Sequence, residues 1–118
     1  MESGWNVIFY KTLQGDTPIN DFILSLETKT QSKIRYSIKL LTEYGIRLGQ
    51  PHVKKLTGTE LWELRVVGSD NIRIFYVAVS GKNFLLLHGF KKKKDKTQPK
   101  EIKTAENRLA EFKSRPQI

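Results

Sequence analysis

Apolar positions along this chain fall into two periods, and the period changes several times. From Trp5 to Tyr10, aromatic and β-branched residues alternate loosely, which predicts a first strand. Gly15 and Asp16 interrupt it. Thr17 followed by Pro18 reads as a helix start, a hydroxyl cap and then a proline whose missing N–H costs nothing there. Ile19, Phe22, Ile23 and Leu26 recur at helical spacing and give that helix one apolar face. Thr28-Lys29-Thr30-Gln31 has capping-box spacing and predicts a second helix. Ile34, Ile38, Leu41 and Tyr44 would line its buried side, with Lys33, Arg35 and Lys39 facing away. Gly45 or Gly49 would end it in the left-handed conformation, and Pro51 bars its continuation.

From Glu60 the period shortens to that of strands for thirty residues. Breaks at Gly68–Asn71 and Ser80–Lys82 divide the stretch into Leu61–Val67, Ile72–Val79 and Asn83–Phe90, three consecutive antiparallel strands. The middle one is apolar on both faces apart from Arg73, as a central strand covered on both sides would be. A last helix begins near Thr97–Pro99 and carries Ile102, Ala105, Leu109 and Phe112 at helical spacing. Glu101 in its first turn and Lys113 and Arg115 near its end suit the helix dipole, and Pro116 stops it. The expected architecture is α+β: an antiparallel sheet of four or five strands, an N-terminal helical hairpin packed on one face, and a C-terminal helix.

Composition narrows the class. At 118 residues the chain reads as a single domain, 1–118, large enough to fold on its own core. It has no cysteine, which excludes a disulfide framework and thiolate metal sites. No apolar run approaches the roughly 18 residues of a membrane span, and no signal peptide is apparent, so the expectation is a soluble cytoplasmic protein. The net charge of +9 predicts attraction to polyanions such as nucleic acid. It is concentrated, with seven lysines against two acids, Asp95 and Glu101, between Lys91 and Lys103. A buried strand that runs straight into lysines holds positive charge in a fixed place.

Arg73 is the first candidate site residue. A guanidinium in an apolar strand must snorkel, pair with an acid such as Glu63 or Asp70, or bind an anion. Arg65 lies on the neighbouring strand, and turn length decides whether the two share a face; if they do, they repel unless an acid or a phosphate lies between them. His88 ends the last strand, where neighbouring cations should lower its pKa and keep it available as a base. Tyr76 has the opposite parity to Arg73, so without a bulge both cannot serve one site. There is no metal-ligand spacing, glycine-rich phosphate loop or Gly-x-Ser-x-Gly nucleophile, and neither metal nor cofactor is expected. A site rich in Arg, Lys and His suits RNA cleavage by in-line attack of the 2′-hydroxyl, which needs a base, cations for the transition state, and an acid for the leaving oxygen.

The segments Leu61-Trp62-Glu63-Leu64-Arg65, Ile72-Arg73-Ile74-Phe75-Tyr76 and Leu86 to Lys93, followed by Lys96-Thr97 and Glu101-Ile102, resemble the phage-related HigB-like branch of the RelE/ParE toxin superfamily. The resemblance implies a RelE-like fold and the toxin of a type II toxin–antitoxin system: a ribosome-dependent mRNA endonuclease that inhibits translation. Its partners would be the ribosome, messenger RNA and a helix-turn-helix HigA-like antitoxin in a toxin–antitoxin hetero-oligomer. Arg73 matches the superfamily's phosphate-neutralising arginine, Lys92 and Lys93 match the paired lysines after the last strand, and Arg65 matches a recurrent basic position. Lys94 and Gln98 stand where the branch usually has threonine and proline. The catalytic set implied is Arg73, Lys92, His88 and Arg65, with His88 or Lys92 as base. The RNA-binding set is Lys54, Lys55, Tyr76, Lys91, Lys93, Lys94 and Lys96. Two other readings share these features: a ParE-like DNA gyrase inhibitor on the same fold, and a non-catalytic RNA- or ribosome-binding module.

Overall fold

A computed structural model describes residues 4–69, 71–93 and 97–116. In chain order it contains strand β1 (Asn6–Phe9), helices α1 (Pro18–Leu24) and α2 (Thr28–Tyr44), a 3-10 turn (Gly45–Arg47), strands β2 (Val53–Lys55), β3 (Trp62–Arg65), β4 (Ile72–Val79) and β5 (Asn83–Lys91), and helix α3 (Pro99–Lys113). The strands form a single sheet in the order β1-β5-β4-β3-β2.

The sheet is mixed, where the alternation of residues had predicted an antiparallel one. β2 through β5 pair antiparallel, but β1 lies parallel to β5, with Asn6 opposite Asn83 and Phe9 opposite Leu86. No hairpin ties β1 to its neighbour. From β1 the chain crosses through α1 and α2 to β2 at the far edge and returns through β3 and β4 to β5, so β1 and β5 meet without a tight turn that would make them antiparallel. β2, the fifth strand within the expected four or five, is a three-residue edge strand carrying two lysines. Charged, very short edges are a common way to keep a sheet from pairing with other chains.

Strand alternation divides the core in two. Leu64, Val66, Ile72, Ile74, Phe84 and Leu86 pack on one face against Ile19 and Ile23 of α1 and Ile34 and Leu41 of α2. Leu61, Phe75, Val77, Leu85, Leu87 and Phe90 pack on the other against Ala105 and Leu109 of α3. Gly89 lets α1 approach β5: a Cβ there would stand 2.9 Å from Cδ2 of Phe22. The C-terminal end of α3 is tied to the end of β1, where Tyr10 Oη donates to Glu111 Oε1 at 2.6 Å and Arg115 Nη2 donates to Lys11 O at 2.6 Å.

Several helix-end expectations change. Thr17 occupies the N-cap of α1 without a side-chain cap bond. The capping box of Thr28 does not form, because Glu27 is the N-cap of α2 and Gln31 donates to Leu26 O instead. Tyr44 is exposed, and buried Ser37 faces the sheet, accepting from Val67 N at 3.2 Å. Gly45 ends α2 at φ 58 and ψ −137, outside the left-handed helical region.

Candidate nucleic-acid interface

Arg65 and Arg73 occupy directly opposed positions on β3 and β4, so they share a face, the one that α3 partly covers. Glu63, two residues before Arg65 on that face, is 4% exposed and lies between them. Its Oε1 is 3.5 Å from Arg65 Nε and 3.9 Å from Arg73 Nε. These are charge contacts without hydrogen-bond geometry, and both Nε atoms are buried with no hydrogen-bond partner. Arg73 Nη1 donates to Ile72 O at 3.1 Å. Burial lowers the Arg73 pKa; Glu63 opposes that shift and Arg65 adds to it. Two guanidiniums around one carboxylate leave a positive charge uncompensated, as an anion subsite requires.

Next to the arginines, Arg73 pairs with Phe90, and Phe90 stacks on His88 with ring centres 5.4 Å apart. A β-bulge brings His88 there. Tyr76 pairs with Leu86 and Phe75 with His88, so Leu87 is the extra residue on β5. Strict alternation would have turned His88 toward α1 and α2; the bulge turns it toward α3. His88 Nε2 donates to Glu101 Oε1 at 2.6 Å, and Arg108 Nη1 donates to Nδ1 at 3.3 Å and to Leu87 O at 2.9 Å. Arginine can only donate, so Nδ1 accepts and the ring proton sits on Nε2. Burial pushes the imidazole pKa below its ordinary value; the Glu101 bond pulls it up and the Arg108 charge pushes it further down. The direction matches the expectation, and among the described residues burial is its first cause and Arg108 the cation that adds to it.

The remaining candidates separate by strand parity. Lys54 is opposite Glu63 and exposed at the edge on the arginine face. Lys92 continues β5 past its end, its N–H donating to Asn71 O at 2.6 Å, and alternation places it on the side of Phe90 and Arg73. Lys93 is exposed in the following loop. Lys91 has the opposite parity and lines a cleft with Glu27, Thr30 and Asn71 near α2. Lys55 also points away from the arginines, opposite Trp62, and its Nζ donates to Thr59 O. Tyr76 is corrected as an RNA contact. It is 4% exposed in the core beneath α1 and α2 and packs edge-on against Phe84, because the bulge lies on β5 and leaves the parity of β4 intact. Burial pushes its hydroxyl pKa up. Lys94 and Lys96, and the alternative Arg73 partner Asp70, lie outside the described residues.

Sequence reasoning missed Arg108, and it gave Glu101 only a helix-dipole role. A signal was present, since the two are seven residues apart and border the apolar stripe of α3. Among the described residues no group of three or more His, Cys, Asp or Glu is placed to hold a metal ion, and no helix is long and apolar enough to cross a membrane.

The fold and the site define a small basic α+β protein with a guanidinium pair on one sheet face. The model of the family described as Phage derived protein Gp49-like (DUF891) matches residues 21–110. The chain belongs to this family, which is part of the RelE/ParE-like toxin superfamily and is associated with toxins of toxin–antitoxin systems. The five-stranded mixed sheet with three helices is compatible with the RelE-like fold. No curated protein matches the chain.

Proposed function

We propose that this protein is a HigB-like toxin that cuts messenger RNA on the ribosome and is held inactive by a helix-turn-helix antitoxin in a hetero-oligomer. The observation that carries the reading is the Arg65–Arg73 pair, cross-strand neighbours sharing one buried carboxylate. Their remaining charge suits a scissile phosphodiester, whose negative charge grows as the 2′-oxygen attacks phosphorus. Arg73 stabilises that charge, Arg65 assists, and Lys54 and Lys92 extend the cationic surface along the same side. His88, with both ring nitrogens engaged and its proton on Nε2, must give up the bond from Arg108 to Nδ1 before it can accept a proton.

The test is brief expression in bacteria, with messenger RNA ends mapped alongside gyrase-mediated DNA breaks. New RNA ends in translated frames, lost in Arg73→Ala while the protein stays folded, support the reading. DNA breaks without RNA ends indicate a gyrase inhibitor instead, and neither signal indicates a binding module without chemistry.

A further inference from the structure

Among the described residues, three buried side-chain nitrogen or oxygen atoms have no hydrogen-bond partner: Arg65 Nε, Arg73 Nε and His52 Nδ1. They belong to one cross-strand row. Arg65 and Arg73 are directly opposed. His52 takes the register position opposite Arg65 on the other side, since its carbonyl accepts from Arg65 N at 2.8 Å and the β2–β3 pairing begins at the next residue, Val53 opposite Leu64. Val53 is buried beneath α1 and α2, so alternation puts Lys54 on the arginine side, and the same alternation carried one residue back into the preceding turn puts His52 there. An unpartnered buried polar atom costs about 1–3 kcal/mol, and folded proteins keep few of them. Arg65 Nε and Arg73 Nε keep only their charge contacts with Glu63, at 3.5 Å and 3.9 Å, and one carboxylate for two guanidiniums leaves room for an anionic ligand beside His52.

The chemistry of the row says which ligand. Two guanidinium N–H groups only donate, and they suit phosphate oxygens. An imidazole nitrogen can accept, and it suits a hydroxyl next to that phosphate. We infer that His52 is the catalytic base of the proposed reaction, and that its Nδ1 accepts the 2′-hydroxyl of the nucleotide whose 3′-phosphate lies on Arg65 and Arg73. This rests on the function proposed above and moves the base from His88, whose nitrogens are both engaged, to the histidine with a nitrogen to spare. His52 is half-buried and its Nδ1 is covered in the structure, so the reaction requires the ring to turn Nδ1 toward the RNA. As the 2′-oxygen attacks, its proton passes to Nδ1 and the 2′-O–P bond forms. The P–O5′ bond breaks with its electron pair on the 5′-oxygen, which takes a proton from solvent water. The products are a 2′,3′-cyclic phosphate and a 5′-hydroxyl end.

The inference separates binding from cleavage. With purified protein and no ribosomes, so that the ribosome-dependent reaction proposed above does not run, affinity is measured for a short RNA and for the DNA of the same sequence. The wild type should prefer RNA by about five-fold, the equivalent of one hydrogen bond. His52→Phe should lose the preference but keep DNA affinity. His52→Asn, whose amide oxygen sits near the place of Nδ1 but cannot carry the proton, should keep the preference and lose about 10²–10⁴-fold in cleavage of translated messenger RNA. Thermal unfolding of each variant establishes that it is folded. A His52→Phe variant that keeps both preference and cleavage overturns the inference. If Arg73→Ala still abolishes cleavage in that case, the proposed function survives without it. Equal wild-type affinity for RNA and DNA also overturns it, and no affinity for either removes the phosphate site together with the inference.

Discussion

His88 and Glu101 join the end of the last strand to the first turn of the last helix through a 2.6 Å bond from Nε2 to Oε1. The bond forms because the bulge at Leu87 turns His88 toward α3, and Arg108 then closes on the other ring nitrogen. Burial makes the neutral ring the favoured form, with a folded pKa below the ordinary 6.5. The unfolded chain therefore binds the proton more readily. Stability from this group is complete above 6.5 and is lost as pH falls through the folded value. The difference in melting temperature between wild type and His88→Gln should shrink on acidification from pH 7. In Glu101→Gln the group that raises the His88 pKa is gone, so acid destabilisation should reach lower pH and be larger. A pH-independent difference would mean that His88 does not titrate as the geometry requires.

Glu63 is the carboxylate between two guanidiniums, and it is nearly inaccessible to water. Glu63→Gln keeps the shape but leaves facing positive charges, which should cost about 2 kcal/mol in a denaturant titration at low salt. Added salt should recover part of that loss. The double variant Glu63→Gln/Arg65→Gln should be more stable than the single one, because the repulsion disappears with its second partner. If the double variant is the less stable, the arginines are not repelling each other.

Gly89 is needed for closeness, without an unusual backbone angle. In Gly89→Ala the new Cβ meets Phe22 at 2.9 Å and 3.2 Å, and Ile74 at 3.7 Å. The Phe22 ring must shift and α1 with it, at about 1–3 kcal/mol. Adding Phe22→Leu should relieve much of the clash, so a double-variant cycle in urea should show coupling.

Lys54 and Lys92 share the arginine side, whereas Lys55 has the opposite parity. If single-stranded RNA lies along that side, Lys54→Ala and Lys92→Ala should each reduce the slope of log affinity against log salt by about 0.7. Lys55→Ala should leave it close to the wild-type value. Equal effects from all three would mean that the charge acts diffusely and no strand face is selected.

How much of this was legible from residues alone depended on range. Helical spacing at Ile19–Ile23 and Ile102–Phe112, and the apolar run from Ile72 to Val79, are local signals, and α1, α3 and β4 lie where those signals fall, while Leu26, expected in the first helix, lies past its end. Arg73 was visible as a cation in an apolar strand, and Glu63 as its possible partner. The edge strand Val53–Lys55 was not, because three residues with two lysines carry no period.

The chain's own residues determined the kind of each long element, the face it buries and the concentration of charge, since propensity and periodicity act within a few residues of each position. Only the tertiary structure decided that β1 runs parallel to β5, that Arg65 faces Arg73 and that His88 turns to Glu101. Those outcomes depend on register. Since a single extra residue reverses which face a side chain occupies, Leu87 settled the surroundings of His88 through its pairing with β4, where the residues predicted the neighbouring strand but not the bulge in its register.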